Sequence, residues 1–87
     1  MGERPKVVLY SNPSCMFCYQ ARMLLTQKGA QIEDLVATPG TDRFDEMVER
    51  TGSRKVPQVF IGNTHVGGFD RLDALDRNGE LDKLLAG

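Results

Sequence analysis

Two cysteines, Cys15 and Cys18, are the side chains of this sequence whose type and spacing could carry chemistry. They follow an apolar run at residues 6–10, which predicts a strand, and they precede a helical pattern from about Phe17 to Lys28. We therefore expect the pair at a turn from strand to helix, with Cys15 near the helix start and Cys18 one turn inside. Two thiols so placed could exchange with a disulfide, the first forming a mixed disulfide that the second breaks.

The start of a helix favours the thiolate form of a cysteine, because the first backbone N–H groups are unpaired and the helix dipole is positive there. Such positions lower a cysteine pKa from about 8.5 to between roughly 3.5 and 7.5. The net gain in the rate of attack is only about threefold for a shift of about two units, since nucleophilicity falls with the pKa. The larger effects are a better leaving group and a more stable reduced state. We assign Cys15 as the attacking thiolate and Cys18 as the resolving thiol.

A structural disulfide and a zinc site are weaker interpretations of the cysteine pair. A loop this short constrains the unfolded chain by only about 2 kcal/mol. Side chains at i and i+3 of a helix lie about 5–6 Å apart at Cβ, whereas a disulfide requires about 3.8 Å. Zinc usually takes four N or S ligands, and the only other candidate, His65, is far along the chain. We expect no metal site, because the pattern is typical of a thioredoxin-like redox motif.

The composition is that of one ordinary globular domain, residues 1–87. Hydrophobic residues make up 40% and charged residues 26%, and the net charge of −1 gives no reason to expect nucleic acid or an anionic membrane surface as a partner. No apolar run approaches the length of a membrane span, and no signal-peptide pattern precedes Lys6. With two cysteines at redox spacing and no secretory signal, we expect a location in the reducing cytoplasm. We also expect a monomer.

The remaining elements must hold the cysteine turn in place. The patterns predict a weaker strand at 31–36, a helix from Thr41 or Asp42 to Thr51, strands at 56–61 and 64–66 around a Gly62-Asn63 turn, a helix capped by Asp70, and a last amphipathic turn at 81–85. The order is β-α-β-α-β-β-α. A long first crossover implies a parallel pair, and the hairpin adds antiparallel strands. We therefore predict an α/β fold, a four-stranded mixed sheet covered by helices on both faces.

Several side chains are interpreted as structural. Met16 and Met23 are expected to pack, Glu33 and Asp34 to be solvated, and His65 to be a strand side chain without a catalytic role. The first helix shows apolar residues at helical spacing: Phe17, Ala21, Leu24 and Leu25.

Three motifs in register resemble the glutaredoxins, most closely the small bacterial dithiol type. They are Cys15-Met16-Phe17-Cys18, Val56-Pro57 and Gly67-Gly68-Phe69-Asp70, and the resemblance covers nearly the whole chain. The absence of Trp before the cysteines argues against thioredoxin proper. The resemblance implies a thioredoxin-like fold, a cis Pro57, and a glutathione-dependent oxidoreductase for protein disulfides and glutathione mixed disulfides. By family analogy, its protein partners include ribonucleotide reductase.

The resemblance also implies that glutathione lies in a groove between these motifs. The implied contacts come from Phe17, Lys55, Val56, Pro57, Gly68, Phe69 and Asp70. Val56, held extended by the following proline, can offer its backbone N–H and C=O to the tripeptide. Gly68 permits close approach, and the N–H groups of Phe69 and Asp70 at a helix start can hold the γ-glutamyl carboxylate. The Asp70 carboxylate is expected either to pair with the ammonium group or only to cap the helix.

Two departures from the family pattern bear on function. Asn12 stands where many members carry Lys, and Lys55 where they carry Thr, so we expect Lys55 or Arg54 to supply the charge for the glycine carboxylate. Met16 stands where dithiol members typically have Pro. Members without that Pro include ones that hold a [2Fe–2S] cluster between two protomers, through the first cysteine and glutathione. A cluster carrier is therefore the alternative to the oxidoreductase.

Overall fold

Hydrogen bonds between four strands organise residues 4–87, the part of the chain that the computed structural model describes. The elements in chain order are β1 Val7–Ser11, α1 Met16–Gln27, β2 Ile32–Val36, α2 Asp42–Thr51, β3 Gln58–Ile61, β4 Thr64–Gly67, α3 Phe69–Arg77 and α4 Glu80–Ala86. The sequence indicates a short polar lead-in at residues 1–5, of which residues 1–3 lie outside the described residues. Arg4 donates hydrogen bonds to the carbonyls of Lys28 and Gly29 at the end of α1.

The strands form one mixed sheet in the order β2-β1-β3-β4. β1 pairs in parallel with β2, as expected when helix α1 connects them, and it pairs antiparallel with β3. β4 returns beside β3 through the turn at Gly62, whose φ of +59° suits glycine. The predicted four-stranded mixed sheet is confirmed.

The pleat of the two central strands divides the core between the faces of the sheet, because successive side chains point to opposite sides. One face joins the odd positions of β1 and β3 to α1, α3 and α4, through Val7, Leu9, Val59, Ile61, Ala21, Leu25, Leu72, Leu81 and Leu85. The other face joins the even positions to α2, through Tyr10, Phe60, Phe44 and Met47. Because helices cover both faces of the sheet, each central strand has apolar side chains on both sides and is a nearly continuous apolar run.

The predicted last turn is a separate helix, so the chain has one more helix than expected. α4 follows Gly79, whose φ of +77° lets the chain reverse after α3. It buries Leu81 and Leu85 in the core beside α3. None of the helices in residues 4–87 is long and apolar enough to cross a membrane.

The predicted packing roles of Met16 and Met23 are wrong. Met16 and Met23 are exposed on α1 and do not pack in the core. Asp34 is exposed, as predicted, and it also accepts hydrogen bonds from the Ser11 hydroxyl at 2.5 Å and from Arg22 at 2.7 Å. These contacts tie β2 to β1 and α1 at the end of the sheet from which the cysteine turn leaves. Glu33 pairs with Lys6 on the surface.

Candidate active site

The cysteine turn is shaped by Asn12, the residue found where the family often has Lys. The Asn12 side-chain oxygen accepts from the Ser14 N–H at 3.0 Å, and its backbone carbonyl accepts from the Cys15 N–H at 3.0 Å. This local bonding closes the turn before α1 begins. Cys15 then occupies the N-cap position with extended backbone angles, φ −98° and ψ 115°. The predicted placement of Cys15 at the helix start is confirmed.

The Cys15 sulfur has two backbone contacts. It accepts a hydrogen bond from the Cys18 N–H over 3.1 Å, in the manner of a capping side chain. Its S–H donates to the Val56 carbonyl at 3.8 Å. Cys15 is half-buried, so its sulfur remains open to a reactant. The site thus presents one accessible sulfur at a helix start, next to the segment that leads into β3.

Cys18 lies one turn inside α1 and is fully buried. Burial raises the pKa of the Cys18 thiol to about 12, and the hydrogen bond with Cys15 acts in the same direction. At neutral pH Cys18 is therefore a protonated thiol, behind the sulfur that faces solvent. This asymmetry supports the assignment of Cys15 as the attacking group and Cys18 as the resolving group.

The segment before β3 is held by Gln58, a residue that the sequence analysis did not single out. The Val56–Pro57 peptide bond is cis, as the resemblance implied. Gln58 is nearly buried, and its amide donates to the Lys55 carbonyl at 3.0 Å. Its carbonyl oxygen bonds Nε2 of His65 at 2.8 Å, and the His65 ring stacks on Phe60. One feature of the sequence could have identified Gln58: it is a polar residue at the start of a strand whose other positions are all apolar.

A cleft of about 350 Å³ opens beside Val56. Its lining residues are Phe17, Lys55, Val56, Pro57, Gln58, Gly68, Phe69 and Asp70. All seven residues that the sequence analysis assigned to glutathione are thus brought together, with Gln58 added. The helical spacing of Phe17 groups it with Ala21 and Leu25, which are buried, but Phe17 is not buried with them. It is exposed, and its ring stacks on Phe69 with centroids 6.1 Å apart.

The start of α3 lines the cleft directly, through Gly68, Phe69 and Asp70. Gly68, not Asp70, is the N-cap residue, and Asp70 lies in the first helical turn. A Cβ atom on Gly68 would lie 3.3 Å from an Asp70 carboxylate oxygen and 3.7 Å from the Pro57 carbonyl oxygen. A side chain at position 68 would thus be in ordinary contact with the cis-proline segment but would require the Asp70 carboxylate to shift slightly. The first N–H groups of a helix have no carbonyl partner within it, so they are available to an anion here.

The two basic residues considered for the glycine carboxylate occupy different places. Lys55 lines the cleft. The Arg54 guanidinium lies over the Phe44 ring, 5.3 Å from its centroid, on the side of α2. Lys55 is therefore the basic side chain that the structure brings to the cleft.

The ligand set of a single chain does not fit an iron–sulfur cluster. Within residues 4–87 no three His, Cys, Asp or Glu side chains are grouped so that they could hold a metal ion. A [2Fe–2S] cluster requires four ligands. Cys18 is buried, so one chain offers the single accessible thiol of Cys15. A cluster would depend on thiols from outside the chain.

The fold and the site together define a thioredoxin-like thiol–disulfide redox domain. The family model for glutaredoxin matches residues 7–66. A glutaredoxin from Pseudomonas aeruginosa is 42% identical over 82 residues, which cover 94% of this chain and 98% of that protein. The chain belongs to the glutaredoxin family, and the family together with the C-x-x-C motif supports thiol–disulfide oxidoreductase activity.

Solved structures agree with this assignment. The solution structure of a glutaredoxin from Brucella melitensis has a TM-score of 0.84 and 42% identity, covering 98% of this chain and 92% of that one. A crystal structure of a buckwheat glutaredoxin–glutathione complex has a TM-score of 0.82 and 32% identity, covering 94% of this chain and 76% of that one. The predicted thioredoxin-like fold is confirmed.

Proposed function

We propose that this glutaredoxin uses glutathione to reduce glutathione mixed disulfides and protein disulfides. The observation that carries the proposal is the cleft beside Val56, whose carbonyl contacts the Cys15 sulfur. This cleft places Lys55, Asp70 and the start of α3 around one space. Glutathione has two carboxylates and one ammonium group, so it needs two positive sites and one negative site. The buckwheat neighbour, a glutathione complex, lends further support.

Each charged group of glutathione has a candidate partner in the cleft. The Lys55 ammonium would pair with the glycine carboxylate, and the Asp70 carboxylate with the γ-glutamyl ammonium. The N–H groups of Phe69 and Asp70 would bind the γ-glutamyl carboxylate. The backbone of Val56 would pair with the central cysteine of the tripeptide, as an added strand pairs with an edge. This pose brings the glutathione sulfur towards Cys15, whose own sulfur contacts the Val56 carbonyl.

Removal of glutathione from a mixed disulfide requires only Cys15. Its thiolate attacks the glutathione sulfur, a Cys15–glutathione disulfide forms, and the substrate sulfur leaves as a thiolate that takes a proton from water. A second glutathione thiolate then attacks the sulfur of the bound glutathione. That step releases glutathione disulfide and regenerates the Cys15 thiolate.

Reduction of a protein disulfide also uses Cys18. Cys15 attacks one sulfur, and the other leaves as a thiolate. The sulfur of Cys15 then carries no negative charge, so its contribution to the raised pKa of Cys18 is removed. Cys18 loses its proton to water, and its thiolate attacks the Cys15 sulfur. The second substrate sulfur leaves as a thiolate, and a Cys15–Cys18 disulfide remains. Two glutathione molecules reduce this disulfide and leave as glutathione disulfide.

We propose a location in the reducing cytosol, because two cysteines at redox spacing suit that compartment. We also propose that the protein acts as a monomer. Its protein substrates would carry disulfides or glutathionylated thiols, with ribonucleotide reductase a candidate by family analogy. The alternative, a [2Fe–2S] carrier, requires a second copy and glutathione as ligands.

Turnover of a glutathione mixed disulfide, coupled to glutathione reductase and NADPH, tests the proposal. The expected result is activity in the wild type and in Cys18→Ser, with none in Cys15→Ser. A protein-disulfide substrate should require both cysteines. A folded, reduced wild type without turnover would refute the proposal. Visible absorption bands and a dimer after anaerobic purification with glutathione would then favour the cluster carrier.

A further inference from the structure

The surface of α1 differs from that of the other long helices. Five large hydrophobic side chains are prominently exposed within residues 4–87, and four of them lie on α1: Met16 (67%), Phe17 (59%), Tyr19 (54%) and Met23 (43%), the fifth being Val36 (51%). The twelve residues of α1 include one charged side chain, Arg22, which pairs with Asp34 at 2.7 Å. By contrast, α2 has six charged residues among ten.

Three of these side chains share one face of the helix. Met16, Tyr19 and Met23 stand at positions i, i+3 and i+7, which lie above one another on a helix surface. We call this set the α1 stripe. It is about 10 Å long at 1.5 Å of rise per residue. Its first member directly follows Cys15, so the stripe begins at the reactive sulfur and leads away from it.

A depression of about 400 Å³ lies at the start of the stripe, and its lining residues are Pro13, Ser14, Cys15, Met16 and Tyr19. It has no lining residue in common with the cleft assigned to glutathione, among residues 4–87. Cys15 lines the depression directly, and it adjoins the cleft through the contact of its sulfur with the Val56 carbonyl. The cleft carries Lys55 and Asp70, whereas the depression contains no charged side chain.

We infer that the α1 stripe is the docking surface for the polypeptide on either side of the substrate cysteine that becomes bonded to Cys15, and that it favours apolar side chains there. The inference rests on the proposed function. In the mixed disulfide the substrate sulfur is bonded to Cys15, so the flanking substrate residues must lie against the surface around Cys15. The depression and the stripe are continuous with that sulfur.

The chemistry of the stripe fits a polypeptide of varied sequence. Methionine is unbranched and polarisable, so it adapts its shape to different apolar partners. Tyrosine adds a large apolar ring with a polar tip. The single charge on the helix is already paired, so an apolar segment would not strip water from an unpaired ion. Packing in the core does not account for Met16 and Met23, because both are exposed.

Peptide disulfides test the inference. The substrates are symmetric disulfides of 13-residue peptides, in which a central cysteine has four Leu or four Gln on each side and two Lys at each end for solubility. Four extended residues span about 13 Å, enough to cover the stripe. A cysteine–glutathione mixed disulfide serves as the small substrate. The enzymes are wild type, Met23→Gln and the apolar control Met23→Leu, since Met23 is remote from the reacting sulfur.

We expect the wild type to prefer the leucine peptide in kcat/KM. Met23→Gln should lower kcat/KM for that peptide about three- to fivefold, the effect of losing part of one apolar contact. Met23→Leu should behave as wild type, and the small substrate should be turned over equally by all three. Equal kcat/KM of Met23→Gln and wild type for the leucine peptide would overturn the inference. A concentration-dependent dimer abolished by Met23→Gln would also overturn it, by assigning the stripe to a second copy. Failure of wild type on the small substrate would refute the proposed function instead.

Discussion

The backbone N–H of Cys18 donates a hydrogen bond to the sulfur of Cys15 over 3.1 Å. One contact thus caps α1 and points a donor at the sulfur that carries charge during exchange. The side chain of Cys18 is buried behind it. The two cysteines of the motif therefore have different exposure, although they are only three residues apart.

This difference predicts selective alkylation of the native, reduced protein. Iodoacetamide at neutral pH should modify Cys15 and leave Cys18 unmodified, because Cys15 is half-buried while Cys18 is both buried and protonated. Peptide mapping by mass spectrometry measures the outcome, and the denatured protein, in which both should react, is the control. Comparable labelling of the two cysteines in the native state would contradict the assignment.

The buried Cys18 thiol also predicts a loss of stability at alkaline pH. Its pKa is raised to about 12 in the folded protein, against about 8.5 in an unfolded chain. Between these values the unfolded state has lost a proton that the folded state retains, so the free energy of unfolding falls by about 1.4 kcal/mol per pH unit. Below about pH 8.5 the contribution is fully present.

Cys18→Ala removes this contribution. From pH 8.5 to 10, the free energy of unfolding measured in urea should fall by about 2 kcal/mol less in Cys18→Ala than in wild type. The comparison uses slopes, because the smaller side chain lowers stability at every pH. Parallel pH profiles would show that Cys18 ionises alike in the folded and unfolded states.

The hydroxyl of Tyr10 links β1 to α2, and its hydrogen bonds predict how much this link contributes to the free energy of unfolding. Tyr10 is fully buried in β1, its hydroxyl donates to Glu46 at 2.5 Å, and it accepts from Arg50 at 2.7 Å. Tyr10→Phe keeps the ring and removes both bonds, so the free energy of unfolding should fall by about 1–2 kcal/mol. The exposed Tyr19→Phe is the matched control and should change it by less than about 0.5 kcal/mol. Equal effects would mean that the buried bonds contribute nothing.

The positions of Lys55 and Arg54 predict which of these two basic side chains contacts the glycine carboxylate of glutathione. Lys55→Ala should raise the KM for a glutathione mixed disulfide roughly two- to fivefold, the value of one solvent-exposed ion pair. Arg54→Ala is the neighbouring control and should leave the KM unchanged, since Arg54 lies over Phe44 and not in the cleft. Added salt should reduce the difference between Lys55→Ala and wild type. The opposite ranking of the two variants would assign the contact to Arg54.

Much of the fold follows from patterns that sequence shows directly. The apolar runs of β1 and β3 indicate strands covered on both faces, and Gly52, with φ +72°, ends α2 where expected. Helical spacing was less informative for α1, because apolar residues occupy two of its faces. Ala21 and Leu25 face the core while Met16 and Met23 face solvent, and spacing alone does not distinguish the two sets.

Site residues that belong to a sequence motif could be predicted, whereas residues whose roles depend on tertiary contacts could not. The cysteine pair and six of the seven predicted cleft residues belong to three short motifs, and the seventh, Lys55, directly precedes one of them. The role of Gln58 could not be predicted, because it depends on bonds to the Lys55 carbonyl and to His65 on the neighbouring strand. The interaction of Asp34 with Ser11 and Arg22 likewise arises only when β1, β2 and α1 meet.

Trapping of the covalent intermediate tests the central claim most directly. Reduced Cys18→Ser and Cys15→Ser are incubated with glutathione disulfide, and the intact masses and modified peptides are measured. We predict that Cys18→Ser gains a single glutathione, on Cys15, and that reduced glutathione removes it. We predict no adduct on the buried Cys18 of the folded Cys15→Ser variant. Rapid glutathionylation of Cys18, or none on Cys15, would contradict the assignment of Cys15 as the nucleophile in a glutathione-dependent reaction.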